Sequence, residues 1–277
     1  VRITSGTAEF TINGQDANNY PHLPEVESEN TVELASDMLR EVIDQTRIAV
    51  SKQESRPILT GIHVTLNNGI LTAVATDSHR LAQRKVELPE TADRDFDIVL
   101  PGASMTELAK MIADEKDGVK MQITENQALF IFGNTHFYSR LLEGNYPETS
   151  RLIPESSDTR LEITASDLLA SIERASLLSH ESRNNVVKLS VNPENKIATV
   201  SGTSADVGNV EEEINADQIV GNPLEISFNP DYMRDALRAS VTDSVIMSFT
   251  KPLRPFIINP DKEDIEFVQL ITPVRTY

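Results

Sequence analysis

An α+β fold, built at least twice in tandem, is what this chain predicts, and three observations carry the prediction. The segment Ala35-Ser36-Asp37-Met38-Leu39 returns as Ala165-Ser166-Asp167-Leu168-Leu169, 130 positions on. A second block agrees: Gly6-Thr7-Ala8-Glu9-Phe10 with Asn19-Tyr20-Pro21 resembles Asn134-Thr135-His136-Phe137 with Asn145-Tyr146-Pro147, 126 to 127 positions on. Periods of roughly 20–50 residues mark stacked units that cannot stand alone, whereas a spacing of about 128 is the size of an independent domain. Third, each copy reads as helix, hairpin, helix and further antiparallel strands, two helices packed on sheets, with no βαβ alternation that would call for a parallel sheet.

Taken in chain order, the second block places the start of the chain inside one copy, so the expected object is a tandem array cut short at its front. The lack of an initiator Met at Val1 and of a signal peptide reads the same way. Residues 31–50 are predicted as an amphipathic helix, with Leu34, Met38, Leu39, Val42, Ile43 and Val50 on one stripe and Arg40, Asp44 and Arg47 opposite. Ser36 and Asp37 supply its cap and dipole charge. Residues 58–66 and 70–76 flank Asn67-Asn68-Gly69 and predict a hairpin, since Asn-Gly accepts positive φ. A capping box at Ser104 to Glu107 announces a second helix, with Leu108, Met111 and Ile112 inward. Strands are expected at 119–124 and 128–132.

The second copy repeats the plan. Its first helix buries Leu168, Leu169, Ile172 and Leu178 and shows Arg174, and its hairpin spans 186–191 and 196–201. Asn229-Pro230 opens its second helix, with a good N-cap before a proline at the first helical position. Strands follow at 245–250 and 256–258. Polar, proline-adjacent boundaries fall near 25–30 and 154–159.

Composition excludes several classes of function. There is no Cys, hence no disulfide or thiolate metal site, and no apolar run approaches the ~20 residues of a membrane helix. A reducing, cytoplasmic setting fits, with no membrane partner and no cofactor. The net charge of −18 argues against a nucleic-acid partner if charge is taken as uniform. The acids cluster, however, at residues 25–29, at Glu211-Glu212-Glu213 and at residues 261–264, so a cationic surface elsewhere stays open. Solubility alone is the plainer reading of that charge.

Chemistry is sparse. Thr76-Asp77-Ser78-His79-Arg80-Leu81 puts Asp, Ser and His side by side, but triads converge from separated positions, and neighbours at a strand end project in alternating directions. His22, His63, His136 and His180 lack metal-ligand spacing, and no glycine-rich phosphate loop occurs. A hydrolase built on His79 and Asp77 and an acidic tandem-domain adaptor unrelated to DNA remain as alternatives. As a surface, the segment suits a peptide groove better than a packed core, because it mixes cationic and apolar groups at an element terminus.

These residues carry a family resemblance. With Gly144-Asn145-Tyr146-Pro147, Arg151-Leu152-Ile153-Pro154 and the ending Thr272-Pro273-Val274-Arg275, the chain closely resembles the bacterial β sliding clamps, processivity factors of replicative DNA polymerases, along essentially its whole length. The resemblance implies a DNA-clamp fold with three like domains per subunit and two subunits per ring, threaded by duplex DNA. Residues 1–27 would be the remnant of domain one, 28–155 domain two and 156–277 domain three. The function implied is non-catalytic: a homodimeric ring in the bacterial cytoplasm that tethers the replicative polymerase, the clamp loader, repair polymerases and ligase-type clients.

The resemblance also implies site residues. A partner-peptide pocket would comprise Leu59, Thr76, His79, Arg80, Leu81, Pro147, Arg151, Leu152, Leu270, Thr272, Pro273, Val274 and Arg275. Each buried Leu or Phe anchor of a client would contribute ~1.5–3 kcal/mol, enough for roughly micromolar, exchangeable binding. The DNA-facing set would be Arg40, Arg47, Lys52, Gln53, Arg56, Arg174, Arg183, Arg234 and Arg238. Phe10 and Ile12 would meet Leu177 and Leu178 of the other subunit across the ring interface. Ser78 stands where many members have Gly, Thr272 where Met is common, Pro57 and Ile58 where two aromatics stand, and Thr276-Tyr277 extends the usual end.

Overall fold

The computed structural model describes residues 1–20, 30–88, 95–180 and 185–276. It opens with an exposed hairpin of β1 (Arg2–Ser5) and β2 (Ala8–Thr11), turned at Gly6 with φ +59°. The first full copy runs β3 (Asn30–Leu34), α1 (Ser36–Thr46), β4 (Gly61–Asn67), β5 (Ile70–Thr76), β6 (Arg80–Glu87), β7 (Phe96–Pro101), α2 (Gly102–Met111), β8 (Val119–Ile123), β9 (Gln127–Phe132) and β10 (Thr135–Arg140). The second runs β11 (Thr159–Thr164), α3 (Ala165–Ser179), β12 (Val187–Asn192), β13 (Ile197–Ser204), β14 (Gly208–Asn215), β15 (Gln218–Gly221), β16 (Leu224–Phe228), α4 (Pro230–Ser240), β17 (Ser244–Phe249), β18 (Phe256–Pro260) and β19 (Glu266–Ile271).

The internal repeat is written in the strand order. One copy has sheets β10-β9-β8-β3 and β6-β5-β4-β7, and the other has β19-β18-β17-β11 and β14-β13-β12-β16, with β15 added beside β11. The two copies are fused where β19 pairs antiparallel with β6, Glu266 opposite Lys85 through Ile271 opposite Arg80, which makes one nine-stranded sheet. Two of the strands that correspond to this joint, β10 and β14, end their sheets without an outer neighbour among the described residues.

Burial explains the layers. Leu39, Val42 and Ile43 of α1 pack with Ile62, Leu71, Met105, Leu108 and Phe130 in one core. Leu168 and Ile172 of α3 pack with Leu189, Phe228, Met233 and Phe256 in the other. Each such side chain contributes about 1.5–3 kcal/mol. In the second core Phe256 meets Phe228 and Phe249 at tilted angles, with centroids 5.7 and 5.2 Å away. Tilted rings of this kind align edge and face quadrupoles. Neighbouring helices touch in the order α2, α1, α4, α3, so the row is continuous across the joint.

Several expectations need correction. The helix expected over 31–50 is only α1; residues 30–34 form β3, because Val32 and Leu34 are buried while Glu33 between them is exposed, a period of two. Ser36 does not cap it: the N-cap is Ala35, and the Ser36 hydroxyl donates to the Asp117 carbonyl at 2.7 Å. Asp37 does serve the first turn, accepting the Met38 N–H at 2.7 Å. The capping box at Ser104 to Glu107 is not formed, since α2 already starts at Gly102 behind Pro101. Only glycine fits there: a Cβ would stand 2.9 Å from the Thr60 carbonyl oxygen. Glu107 instead pairs with Lys110 at 2.8 Å, and Met111 is exposed. The hairpin turn at Asn68 and Gly69 has φ of 51° and 79°, and Asn229 accepts the Asp231 N–H, both as expected. The expected boundary at 27/28, His22, the acidic run at 25–29 and Tyr277 lie outside the described residues.

Candidate functional site

The β19–β6 joint creates a third apolar cluster, apart from both cores. Leu81 of β6 faces Leu270 of β19 across the ladder, Val74 of β5 lies beside them, and Ile153 and Ile257 cover them in part. Around this floor the chain builds a polar turn. The Thr76 hydroxyl donates to the Arg80 carbonyl at 2.7 Å and accepts the Ser78 N–H at 3.1 Å. Asp77 Oδ1 accepts the N–H groups of His79 and Arg80 at 2.8 and 3.0 Å. Ser78, at the tip, has φ +80°, the left-handed region that favours glycine.

Arg80 ties the turn to the second copy. Its Nε meets Asp77 Oδ2 at 3.1 Å, its Nη1 meets Asp235 Oδ2 at 2.7 Å, and its guanidinium carbon lies 4.5 Å from the Tyr232 ring centre. The His79 ring stacks loosely on the same tyrosine at 6.5 Å. The chain end continues the joint, with Thr272 N–H donating to the His79 carbonyl at 2.9 Å and Val274 N–H to the Ser227 carbonyl at 2.7 Å. Tyr146 braces the other side. Its hydroxyl accepts the Thr76 N–H at 3.0 Å, and its ring stacks on His63 at 4.8 Å, where His63 pairs with Asp97. Burial pushes the Tyr146 phenol up to about 12. Burial, then the Asp77 charge, also raises that of Tyr232.

Of the residues expected in the pocket, Thr76, His79, Arg80, Leu81, Leu270 and Thr272 are joined by these bonds and contacts, while half-buried Val274 is tied instead to Ser227 of β16. Leu152 is 52% exposed, and exposed Pro147 and Arg151 flank it on the segment that links Tyr146 to Ile153. Pro273 is half-buried between Thr272 and Val274. Leu59 is buried in a 3-10 turn at Pro57–Thr60 and Arg275 is exposed near the chain end; neither joins the cluster or the hydrogen-bonded turn. Sequence reading missed Tyr146, Ile153, Tyr232, Asp235 and Ile257 as working parts. Asp235, 155 positions from Arg80, left no local signal. The Asp-Ser-His run assembles no triad, since Asp77 serves backbone amides and Arg80 while the Ser78 hydroxyl accepts from Arg56.

The cations expected to face DNA are mostly partnered. Arg47 pairs with Asp44 at 2.8 Å, Arg234 with Asp231 at 2.8 Å and Arg238 with Glu173 at 2.7 Å. Arg174 grips Glu212 with two nitrogens, and that bond lowers the Glu212 carboxyl below its usual range. Arg40 reaches the Ala113 carbonyl at 3.4 Å. Lys52, Gln53 and Arg56 are exposed, and Arg56 donates to Ser78 at 2.7 Å and to Gln53 at 3.4 Å. Arg183 lies outside the described residues. Between α1 and α4 a cleft of about 530 Å³ shows Arg40, Arg47 and Arg238 together with Asp37, Asp44 and Asp235. On the surfaces expected at a ring interface, Phe10, Ile12 and Leu177 are 57%, 53% and 69% exposed, and Leu178 is half-buried.

A tandem of helix-backed antiparallel sheets fused edge to edge defines the sliding-clamp class, and comparison with known proteins agrees. The family model for the DNA polymerase III beta subunit, central domain, matches residues 33–148, and that for the beta subunit, C-terminal domain, matches residues 150–275. The beta sliding clamp of Bacillus subtilis is 49% identical over 276 residues, 99% of this chain and 72% of that protein. The beta sliding clamp of Staphylococcus epidermidis is 44% identical over 275 residues, with 99% and 72% covered. The crystal structure of the sliding clamp from Bacillus subtilis superposes with a TM-score of 0.92 at 48% identity, covering 100% of this chain and 72% of that one. The beta subunit from Streptococcus pyogenes gives 0.93 at 40%, covering 99% and 74%. The chain belongs to the DNA polymerase III beta subunit family, the sliding clamps of DNA replication.

Proposed function

We propose that this chain is the domain-two and domain-three part, with a remnant of domain one, of a subunit that closes with a second copy into a ring around duplex DNA. The ring holds the replicative polymerase on its template through the groove at the β19–β6 joint and performs no catalytic step. One observation supports this most. The joint is heterologous, a last strand against a third strand, and the corresponding β10 and β14 offer the same two kinds of edge unpaired. Repeating a heterologous joint generates a ring if the rotation closes. A domain one preceding β3 would take the β10 edge, and its own last strand, of which β2 is the counterpart of β10, would take β14 of the other subunit. Phe10, Ile12, Leu177 and Leu178 would be covered there.

In this reading the helix row lines the hole, and retention is topological, so DNA contacts are few and blind to sequence. The acidic surplus faces outward. The floor of Val74, Leu81 and Leu270 receives an apolar side chain of a client, while His79, Arg80 and Arg151 frame it; the same groove serves polymerase, clamp loader and repair clients in turn, in the bacterial cytoplasm. The test is mass and retention. Carrying a complete first domain, the protein is expected as a dimer that stays on nicked circular DNA and is lost when the circle is cut. Equal loss from circular and linear DNA would refute the ring, and turnover of ester substrates abolished by His79→Ala would favour a hydrolase.

A further inference from the structure

Arg56 and Ser78 are joined by a 2.7 Å hydrogen bond from Arg56 Nη1 to Ser78 Oγ, linking the segment after α1 to the tip of the groove turn. Ser78 holds a left-handed backbone, φ +80°, that a residue with a Cβ adopts at a cost. The turn is closed by its own bonds among Thr76, Asp77, Ser78, His79 and Arg80. A shift of Ser78 is therefore transmitted to both groove residues beside it. Arg56 also differs from four of the helix arginines. Arg47, Arg174, Arg234 and Arg238 are held by carboxylates, whereas both side-chain partners of Arg56, Ser78 and Gln53, are neutral oxygens. An exposed guanidinium held only by neutral oxygens is the easiest for a phosphate to take, because N–H bonds to an anionic oxygen are about twice as strong.

We infer that Arg56 is a positioning residue shared between two ligands. Donated to Ser78, it braces the 76–80 turn for a client peptide. Donated to a phosphate of the threaded DNA, it leaves Ser78 unbraced and weakens peptide binding. The inference rests on the DNA and groove reading above. Linkage makes the effect reciprocal, so a bound peptide lowers the affinity of Arg56 for phosphate by the same factor.

The test is a cycle on the full chain with a fluorescent peptide bearing Leu and Phe and a short blunt duplex at low salt. In the wild type, saturating duplex is expected to weaken peptide binding by about fivefold. Ser78→Gly keeps Arg56 and suits the left-handed turn but has no hydroxyl, so it should bind both ligands with no coupling. Coupling of wild-type size in Ser78→Gly overturns the proposal, as does a wild-type peptide affinity indifferent to bound duplex. A second measurement needs no ligand: Arg56→Ala should speed amide exchange at His79 and Arg80, and unchanged exchange removes the brace. A chain that binds peptide but no duplex overturns the sharing together with the DNA reading, whereas unchanged exchange with normal duplex binding overturns the brace alone.

Discussion

In the proposed groove, Leu270 belongs to the floor and Leu152 to the rim. Leu270 is 5% exposed, opposite Leu81 and near Val74, so Leu270→Ala removes three buried carbons, worth about 2 kcal/mol at ~0.8 per methylene. A cavity would raise the cost toward the upper end of the ~2–5 kcal/mol range for such truncations. Here the cover is only the half-buried Ile153 and Ile257, so the site can collapse or admit water, and about 2–3 kcal/mol is expected. In urea this lowers the midpoint with little change in slope, and in a thermal scan it lowers Tm by ~4–10 °C. Leu152, half-exposed, loses little on folding when truncated, so Leu152→Ala should stay within about 0.5 kcal/mol of wild-type stability. A bound peptide would cover its remaining surface, about half a leucine or ~1 kcal/mol, so the affinity of a client peptide should fall about fivefold. Urea titration and peptide anisotropy on both variants decide the matter. If Leu270→Ala is neutral for folding, or if Leu152→Ala leaves peptide affinity unchanged, the assignment of floor and rim is wrong.

Three further outcomes are expected. Val241 ends α4 in the left-handed region at φ 49° and is 78% exposed, so Val241→Gly should raise stability by about 1 kcal/mol, measured by urea midpoint, because strain is relieved and no packing is lost. Tyr146, raised from 10.0 to about 12, stays protonated in the folded chain after its unfolded counterpart has ionised; its contribution is full below pH ~10 and lost as pH rises through about 12, and Tyr146→Phe should flatten that alkaline fall in stability. On DNA, Lys52→Ala should reduce the log–log salt slope by about 0.9, the value for one phosphate contact, whereas Arg234→Ala, held by Asp231, should leave the slope unchanged in a fluorescence titration.

The repeat and the α+β class were legible because they rest on side-chain patterns that survive in both copies: the Ala-Ser-Asp helix starts, the Asn68-Gly69 turn and the Asn229-Pro230 cap. The strands that were not read share one property. Their patterns are set by neighbours distant in sequence. Arg80–Glu87 carries Arg80, Gln83, Arg84, Lys85 and Glu87 among its apolar residues, yet it is interior to the nine-stranded sheet, with Arg84 buried against α1 and Lys85 opposite Glu266. Gly208–Asn215, with three glutamates, is a sheet edge on which Glu212 is claimed by Arg174. The residues of the turn and of the apolar cluster at the β19–β6 joint were legible through their family motifs, but their supports were not. No local pattern announces that Asp235 and Tyr232 of α4 will hold Arg80, or that Tyr146 will cap the Thr76 amide.

The repeat also explains why, among the described residues, this apolar cluster forms at the β19–β6 joint and not at the β14 edge. Face by face, Ala82, Arg84 and Val86 of β6 correspond to Val210, Glu212 and Ile214 of β14, and by the ladders to the preceding strands Val74 then corresponds to Ser201 and Leu81 to Asn209. The helix-side positions keep a comparable plan, apolar at the outer two and an ion pair to the first helix at the middle one, with its polarity reversed: Arg84 lies 3.9 Å from Glu41, whereas Glu212 is gripped by Arg174. On the opposite face the two copies diverge. Val74 and Leu81 form an apolar floor, while Ser201 is half-buried and Asn209 exposed, so a last strand docking on β14 would find hydrogen-bonding edges there but no apolar pocket. Edge pairing and helix contact join the modules, and two apolar residues, Val74 and Leu81, give the β19–β6 joint an apolar cluster that the β14 edge lacks. On the proposed ring, a client peptide therefore finds its apolar floor at the β19–β6 joint and none at the β14 edge.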